Sequence, residues 1–309
     1  MFDLIQWSDT HQANAAINAA QAVLKTVNGV DAIVHCGDSA FRYFEDGIGA
    51  LDLNGTLTVI GNHDAFTKND DGSQNKYKQP TQAQLYNRYM EPLVKQGAEC
   101  RSGTTWWRVK YNANGVVIIG VNDTLNDDTL VEEQYADVKS WLDDAYANGL
   151  AVIMVRHSPT AYAAVQPCNW TALHAINEEA TYIAEYRGWY PKTDRVTSLF
   201  TSTQAKVLCV LHGHDHWDSF QTIDKGAGKI PVIGIGSTYA DGWNDVPRST
   251  NASDKEMYVL NHLRYDPVMN TLAVFRLGSD ESALGNARKM LVWSYDKSAL
   301  VAVCSNREG

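Results

Sequence analysis

Positive charge is scarce in this chain. Lys and Arg total 26 against 36 Asp and Glu, a net charge of −10 over 309 residues. Nonspecific binding to long nucleic acids needs clustered Lys and Arg to neutralise phosphates, so that class of partner is not expected. A small phosphate ester, whose charge would be met locally, stays within reach. Cysteine is also sparse: Cys36, Cys100, Cys168, Cys209 and Cys304 are widely spaced, odd in number and without a CxxC pair. That excludes a disulfide framework and a zinc-thiolate site as organising principles. No apolar run approaches the ~20 residues that cross a bilayer as a helix. The N-terminus lacks the basic region of a secretory leader, and Phe2–Trp7 reads as a strand instead. Cytoplasm is the expected compartment. The alternative is a virion, for a phage domain excised from a longer protein, because the first functional motif begins at position 9. There is no internal repeat, low-complexity tract or linker, and residues 1–309 read as a single domain.

What is present is a globular core. Hydrophobic residues make up 44% of the chain, and its length suffices to bury a sizeable interior. Short apolar runs at 2–7, 32–36 and 57–60 alternate with an Ala-rich helical stretch at 11–27. That order implies a parallel or mixed sheet with covered faces. Residues 65–80 are polar and read as a long surface loop, followed by helical character at 81–95. Residues 106–111 and 116–121 flank Asn112-Ala113-Asn114-Gly115, a hairpin signal. An amphipathic helix over 131–148 ends at Gly149, and 151–155 is a buried strand. Residues 159–191 are aromatic and predict a helical excursion over the site. Strands are further expected at 206–211 and 232–235, with a closing antiparallel pair at 258–263 and 271–277 around Asp266-Pro267.

Six of the nine histidines fall in short motifs at the ends of these strands. Asp9-Thr10-His11 follows the first strand, and Gly37-Asp38 the second. Gly61-Asn62-His63-Asp64 follows the third, His157 follows 151–155, and His212-Gly213-His214-Asp215-His216 follows 206–211. Alone, Asp-x-His or Gly-Asp is an ordinary turn. Open α/β sheets, however, bind ligands beyond the carboxyl ends of their strands, and here five such ends carry Asp, Asn and His. Alternating histidines around a glycine, straight after an apolar strand, point to metal or catalysis. Oxygen and imidazole donors without thiolate suit Mn²⁺, Fe or Zn²⁺, and one shared carboxylate would hold two ions ~3.5–4 Å apart.

In this order the five blocks resemble the calcineurin-like metallophosphoesterases, whose pattern is D-x-H, G-D, G-N-H-[DE], H and G-H-x-H. The resemblance covers residues 9–216. It implies an α/β fold, a four-layer sandwich of two mixed β-sheets flanked by helices. It implies a first metal held by Asp9, His11 and His216 and a second held by Asn62, His157 and His214, with Asp38 bridging them. It implies that a metal-bridging hydroxide attacks phosphorus, that His63 is the general acid, and that Asp64 holds the His63 ring. His212 is not a ligand in that pattern and reads as structural or as support for the ligands.

Departures narrow the subtype. Purple acid phosphatases resemble this pattern but place a Tyr where Phe41 stands, which argues against a tyrosinate-bound ferric ion. Protein Ser/Thr phosphatases show G-D-x-x-D-R-G and G-N-H-E, unlike Gly37-Asp38-Ser39-Ala40-Phe41-Arg42 and the GNHD run here. The sequence is nearer the bacterial and phage phosphodiesterases with Ser-Asp-x-His and GNHD, so a small phosphodiester is the expected substrate. A phosphomonoesterase, a nuclease and a noncatalytic virion module are the alternatives. For the rim of the site, the sequence offers Arg42, Arg156, Tyr239, Trp243 and the aromatic stretch 170–190 as specificity candidates.

Overall fold

The computed structural model describes residues 1–10, 15–39, 55–65, 67–68, 74–75, 80–125, 127–158, 164–165, 194–214, 219–236, 259–278 and 288–306. The chain folds as two seven-stranded mixed sheets packed face to face. The first contains β1 (Phe2–Trp7), β2 (Ala32–His35) and β3 (Leu57–Thr58), joined to β13 (Val259–Asp266), β14 (Thr271–Gly278), β15 (Arg288–Ser294) and β16 (Ala299–Asn306). Its order is β16-β15-β14-β13-β1-β2-β3. β1, β2 and β3 run parallel, while β13 is antiparallel to β1.

The second sheet contains β6 (Trp107–Tyr111), β7 (Val116–Gly120), β8 (Ala151–Val155), β9 (Ala164–Val165), β10 (Val207–His212), β11 (Ser219–Lys225) and β12 (Gly228–Gly234). Its order is β6-β7-β8-β10-β12-β11-β9, with β7, β8, β10 and β12 parallel. The expected polar loop holds a small hairpin, β4 (Thr67–Lys68) paired with β5 (Gln74–Asn75).

The layers follow from which residues each face buries. Between the sheets lies the main core, with Leu4, Val34, Ile118, Ile153, Leu211, Leu263, Val274 and Trp293 all buried. Outside the first sheet, α1 (Ala15–Thr26) lays Ala20, Val23 and Leu24 against Ile5, Trp7 and Leu260. Outside the second, α4 (Asp128–Ala147) and α5 (Asp194–Ser202) cover Val117, Val152, Met154 and Val210. The four-layer sandwich is therefore helix, sheet, sheet, helix.

Local chemistry explains several boundaries. Asp127 caps α4 by accepting the Leu130 N–H at 3.0 Å, which moves the helix start to Asp128, three residues ahead of the expected 131. The hairpin between β6 and β7 closes through Gly115 at φ 66°, a left-handed turn that favours glycine. Residues 82–95 form one helical run in three parts: α2 (Gln82–Leu85), a π-helical turn (Tyr86–Met90) and α3 (Glu91–Lys95). Thr81 and Gln84 form a capping box at its start. The widening has a sequence cause. Pro92 has no N–H and would press on the carbonyl four residues back in a regular helix. The turn relaxes instead, and the Glu91 N–H reaches back five residues to the Tyr86 carbonyl.

β11 carries no clear apolar pattern because Ser219, Gln221 and Thr222 are buried beside Phe220 and Ile223. Its place in the sheet comes from pairing with β12 rather than from hydrophobicity. The excursion expected over 159–191 lies outside the described residues, apart from β9. Among the described residues no helix is long and apolar enough to cross a membrane.

Candidate metal centre

The proposed ligands gather at the carboxyl ends of the parallel strands, where the two sheets meet. Asp9 follows β1, Asp38 follows β2, Asn62 and His63 follow β3, His157 follows β8 and His214 follows β10. Asp38, His157 and His214 are buried, and a ligand atom of each lies within 4.8 Å of the others. His157 Nε2 is the focus. It stands 2.8 Å from Asn62 Oδ1, 3.1 Å from His214 Nδ1 and 3.3 Å from Asp38 Oδ2. Donors bonded at about 2.1 Å to one cation are about 3.0–3.4 Å apart in octahedral or tetrahedral arrangements. Asp38, Asn62 and His214 thus already stand close to ligand spacing from His157 Nε2, and the donor set fits a divalent cation.

The neighbours of His157 set its orientation. Its Nδ1 lies 2.8 Å from the Cys36 carbonyl, so Nδ1 carries the proton and Nε2 faces the other donors. Burial by itself would lower the His157 pKa, but Asp38, which faces and hydrogen-bonds the ring, together with Asp9 and Asp123, carries it up to about 10. A cation binding at Nε2 therefore displaces a proton.

The backbone makes the close approach possible. A Cβ on Gly61 would lie 2.1 Å from Asp38 Oδ1, and one on Gly37 2.6 Å from His157 Nδ1. A Cβ on Gly213 would lie 1.8 Å from Ser8 Oγ and 2.3 Å from Asp9 Oδ2. In this last contact the second sheet meets the first, and the His214 N–H donates to Asp9 Oδ2 at 2.9 Å.

His63 occupies the open side. Its side chain is 24% exposed, against 1% for Asp38, and its Nε2 lies 3.9 Å from Asp38 Oδ2. Its backbone N–H donates to Asp38 Oδ1 at 2.7 Å.

Asp64, expected from the sequence to hold the His63 ring, lies between the turns that follow β2 and β3. Its Oδ2 accepts the N–H groups of Asp38 at 3.0 Å and Gly61 at 2.9 Å. Its Oδ1 accepts the hydroxyls of Ser39 at 3.2 Å and Tyr89 at 2.9 Å. A fully buried carboxylate with two donors on each oxygen braces the backbone that presents Asp38 and Asn62. Burial, with the neighbouring Asp38 charge, raises the Asp64 carboxyl above the ordinary carboxylate range, while the hydrogen bonds from Gly61 and Tyr89 oppose that rise.

His11 and His216 lie outside the described residues, as do Arg42, Tyr239, Trp243 and the stretch 170–190. Arg156 is not at the rim. It is 2% exposed and donates from Nε to Asp123 at 3.3 Å and from a terminal nitrogen to Thr197 at 2.5 Å. Asp123 Oδ2 also accepts the Ser158 N–H at 2.7 Å, so this pair anchors the loop that carries His157. His212 is structural: it is buried, close to the Gly213 carbonyl and Ser219 Oγ, and burial pushes its pKa down to about 4.

Other contributors gave little sign in the sequence. His35, a strand residue, packs edge-on against Trp7 and lies 3.4 Å from Thr10 Oγ1 and 3.5 Å from Thr58 Oγ1. It links the ends of β1, β2 and β3 and is held neutral by burial, with its pKa near 4. Gln6, fully buried on β1, donates to the carbonyls of His212 and Ile233 at 3.2 Å and accepts from Asn261 at 3.1 Å. It cross-links the two sheets just below the centre. A lone Gln in an apolar strand is the available signal for it, since a buried amide must find partners.

Sandwich and site together define a metal-dependent phosphoesterase class, and the comparison with known families agrees. The model of the calcineurin-like phosphoesterases matches residues 3–218, and the chain belongs to that family. No curated protein matches the chain in sequence. Among solved structures, a dimetal phosphatase from Danio rerio superposes with a TM-score of 0.55 at 13% identity, covering 95% of this chain and 99% of that one. A conserved protein from Streptococcus pneumoniae described as a predicted phosphoesterase gives 0.38 at 14% identity, covering 94% and 96%. At these identities the first likeness is one of fold.

Proposed function

We propose that this protein is a two-metal hydrolase of small phosphodiesters. The observation that carries the reading is the convergence of Asp38, Asn62 and His214 on His157 Nε2 at ligand spacing, with His63 on the exposed side. In this reading Asn62, His157 and His214 hold one cation. Asp9, His11 and His216 hold the other, and Asp38 bridges. Bound there, the pair of cations (Mn, Fe or Zn) supplies the Lewis acidity that acidifies water and neutralises phosphoryl oxygens. The chain's own groups do the rest. Asp38 sets the spacing of the two positions, and its Oδ1 holds the backbone of His63. His63, partly exposed beside Asp38, would deliver a proton to the leaving oxygen as the ester bond breaks. The Ser8-Asp9-Thr10-His11 and GNHD forms of the motifs support a diester over a monoester. The acidic net charge of −10 supports a small substrate over a nucleic acid.

The test is hydrolysis of bis-p-nitrophenyl phosphate beside p-nitrophenyl phosphate by Mn²⁺-reconstituted protein. Faster diester cleavage is expected, and His63→Ala should slow it roughly 10²–10⁴-fold with metal content retained. Preference for the monoester would replace this reading with a phosphatase. Cleavage of neither substrate by protein holding two metal ions would leave a narrow-specificity enzyme or the noncatalytic module.

A further inference from the structure

We propose that Tyr89 is a positioning residue of the metal centre: from the π-helical turn its hydroxyl holds the Asp64 carboxylate, and through it the backbone that presents Asp38, Asn62 and His63. The inference rests on the reading of Asp38, Asn62, His157 and His214 as metal ligands.

The chain of contacts is short and closed. Tyr89 is 2% exposed, and its hydroxyl donates to Asp64 Oδ1 at 2.9 Å. Asp64 Oδ2 accepts the N–H of Asp38 and of Gly61. The Asp38 carboxylate in turn accepts the N–H of His63 at 2.7 Å. Two motif turns, one after β2 and one after β3, are therefore joined through a single carboxylate, and Tyr89 is the donor that comes from outside both. Asp38 needs such a brace. Its φ of 58° lies in the left-handed region, which a residue with a Cβ enters only at a cost.

The position of Tyr89 follows from the helical run that carries it. Leu85, Met90 and Leu93 are buried in the core between the sheets and seat the segment. The extra residue that Pro92 forces into the turn rotates the preceding side chains relative to a regular helix, and Tyr89 is the one that reaches Asp64. Wide turns of this kind recur at functional sites for this reason. The guanidinium of Arg88 lies 5.9 Å from the centre of the Tyr89 ring. The phenol is thus packed on its face and bonded at its tip. Its task differs from that of a ligand, since it would touch neither cation nor substrate.

The experiment is Mn²⁺ binding to the full chain by calorimetry, beside thermal unfolding of the metal-free protein, for wild type, Tyr89→Phe, Ser39→Ala and Asp38→Asn. Tyr89→Phe keeps the ring and deletes only the donor. The expected result is a loss of Mn²⁺ affinity of about 10–100-fold, the usual consequence of removing a group that orients a ligand, with the unfolding temperature of the metal-free protein nearly unchanged. A merely structural role would do the reverse. Ser39→Ala, which removes the other hydroxyl on the same oxygen, should lower affinity in the same direction, and it decides the matter if Tyr89→Phe does not fold. Wild-type affinity in the folded Tyr89→Phe protein, with binding lost in Asp38→Asn, would overturn the role of Tyr89 and leave the metal site standing. No Mn²⁺ binding by wild type would overturn both.

Discussion

Asp9, Asp38 and His214 occupy backbone conformations that side chains ordinarily avoid, with φ of 52°, 58° and 71°. Among the described residues only Asn270 and Ser298, both in hairpin turns, share that property without being proposed ligands. Strain of this kind costs on the order of 1–3 kcal/mol per residue and persists where the surroundings over-determine it. Here the surroundings are hydrogen bonds: His214 N–H to Asp9, Asp38 N–H to Asp64, and Asp9 N–H to the Gly37 carbonyl. Gly213 is the most exposed to test. An alanine there would place its Cβ against Ser8 Oγ, Ser8 Cβ and Asp9 Oδ2, the last of which is held by the His214 N–H. Gly213→Ala should therefore destabilise the metal-free protein by about 1–3 kcal/mol, read as a lower urea midpoint, and should also lower metal stoichiometry. An unchanged midpoint with full metal content would show that the strand ends can separate without consequence.

At the scale of elements, the strands do two things: they bury apolar faces and they aim their carboxyl ends. The burial was legible in sequence, because Leu4, Val34, Ile153 and Leu211 sit in continuous apolar runs, as strands covered on both faces do. The pairing was less so. β11 holds its place through a register with β12 from Ser219 to Lys225, although three of its five buried side chains are polar. Its last residue makes a testable point. Lys225 is half-buried and donates to the Ala205 carbonyl at 2.5 Å, and burial lowers its pKa from 10.5 to about 8. Between those values the unfolded chain holds more protons than the folded one, so stability rises with pH from about 8 to about 10.5. Below pH 8 the full penalty of the buried ammonium is present. Lys225→Met lacks this titration. The denaturant midpoint of wild type should rise relative to that of Lys225→Met between pH 7 and pH 10. Parallel shifts would show that the ammonium is solvated in the folded state.

For the whole molecule, the centre acts as a staple. Asp9, Asp38 and Asn62 come from the first sheet, His157 and His214 from the second. The native fold assembles these proposed ligands and the unfolded chain does not, so cations bound there would add to stability by mass action. At a free metal concentration of about 1,000 Kd, one site contributes about 4 kcal/mol. For a chain of this length that corresponds to an unfolding temperature about 6 °C higher. Calorimetric scans with Mn²⁺ and with a chelator should differ by about that amount or more, and the difference should vanish in Asp38→Asn. Coincident scans for wild type would mean that the site does not link the sheets through metal.

The sequence by itself determined the chemistry and its approximate address. Donor types, their order along the chain and the apolar runs before them are local properties, and local properties survive in a one-dimensional reading. From them, through the family resemblance, followed the two mixed sheets and the expectation of a metal site at the strand ends, where Asp9, Asp38, Asn62, His63, His157 and His214 stand. The tertiary structure alone decided what each neighbour does. Asp64 follows His63 in the chain yet braces the backbone of Asp38 and Gly61, because a tight turn sends successive side chains in different directions. Arg156 adjoins His157 yet is buried against Asp123. Tyr89, Gln6 and the Cys36 carbonyl come from segments 25 to 206 residues away from their partners at the site. Such contacts depend on how two sheets and a widened helix pack in three dimensions, which no motif spacing encodes.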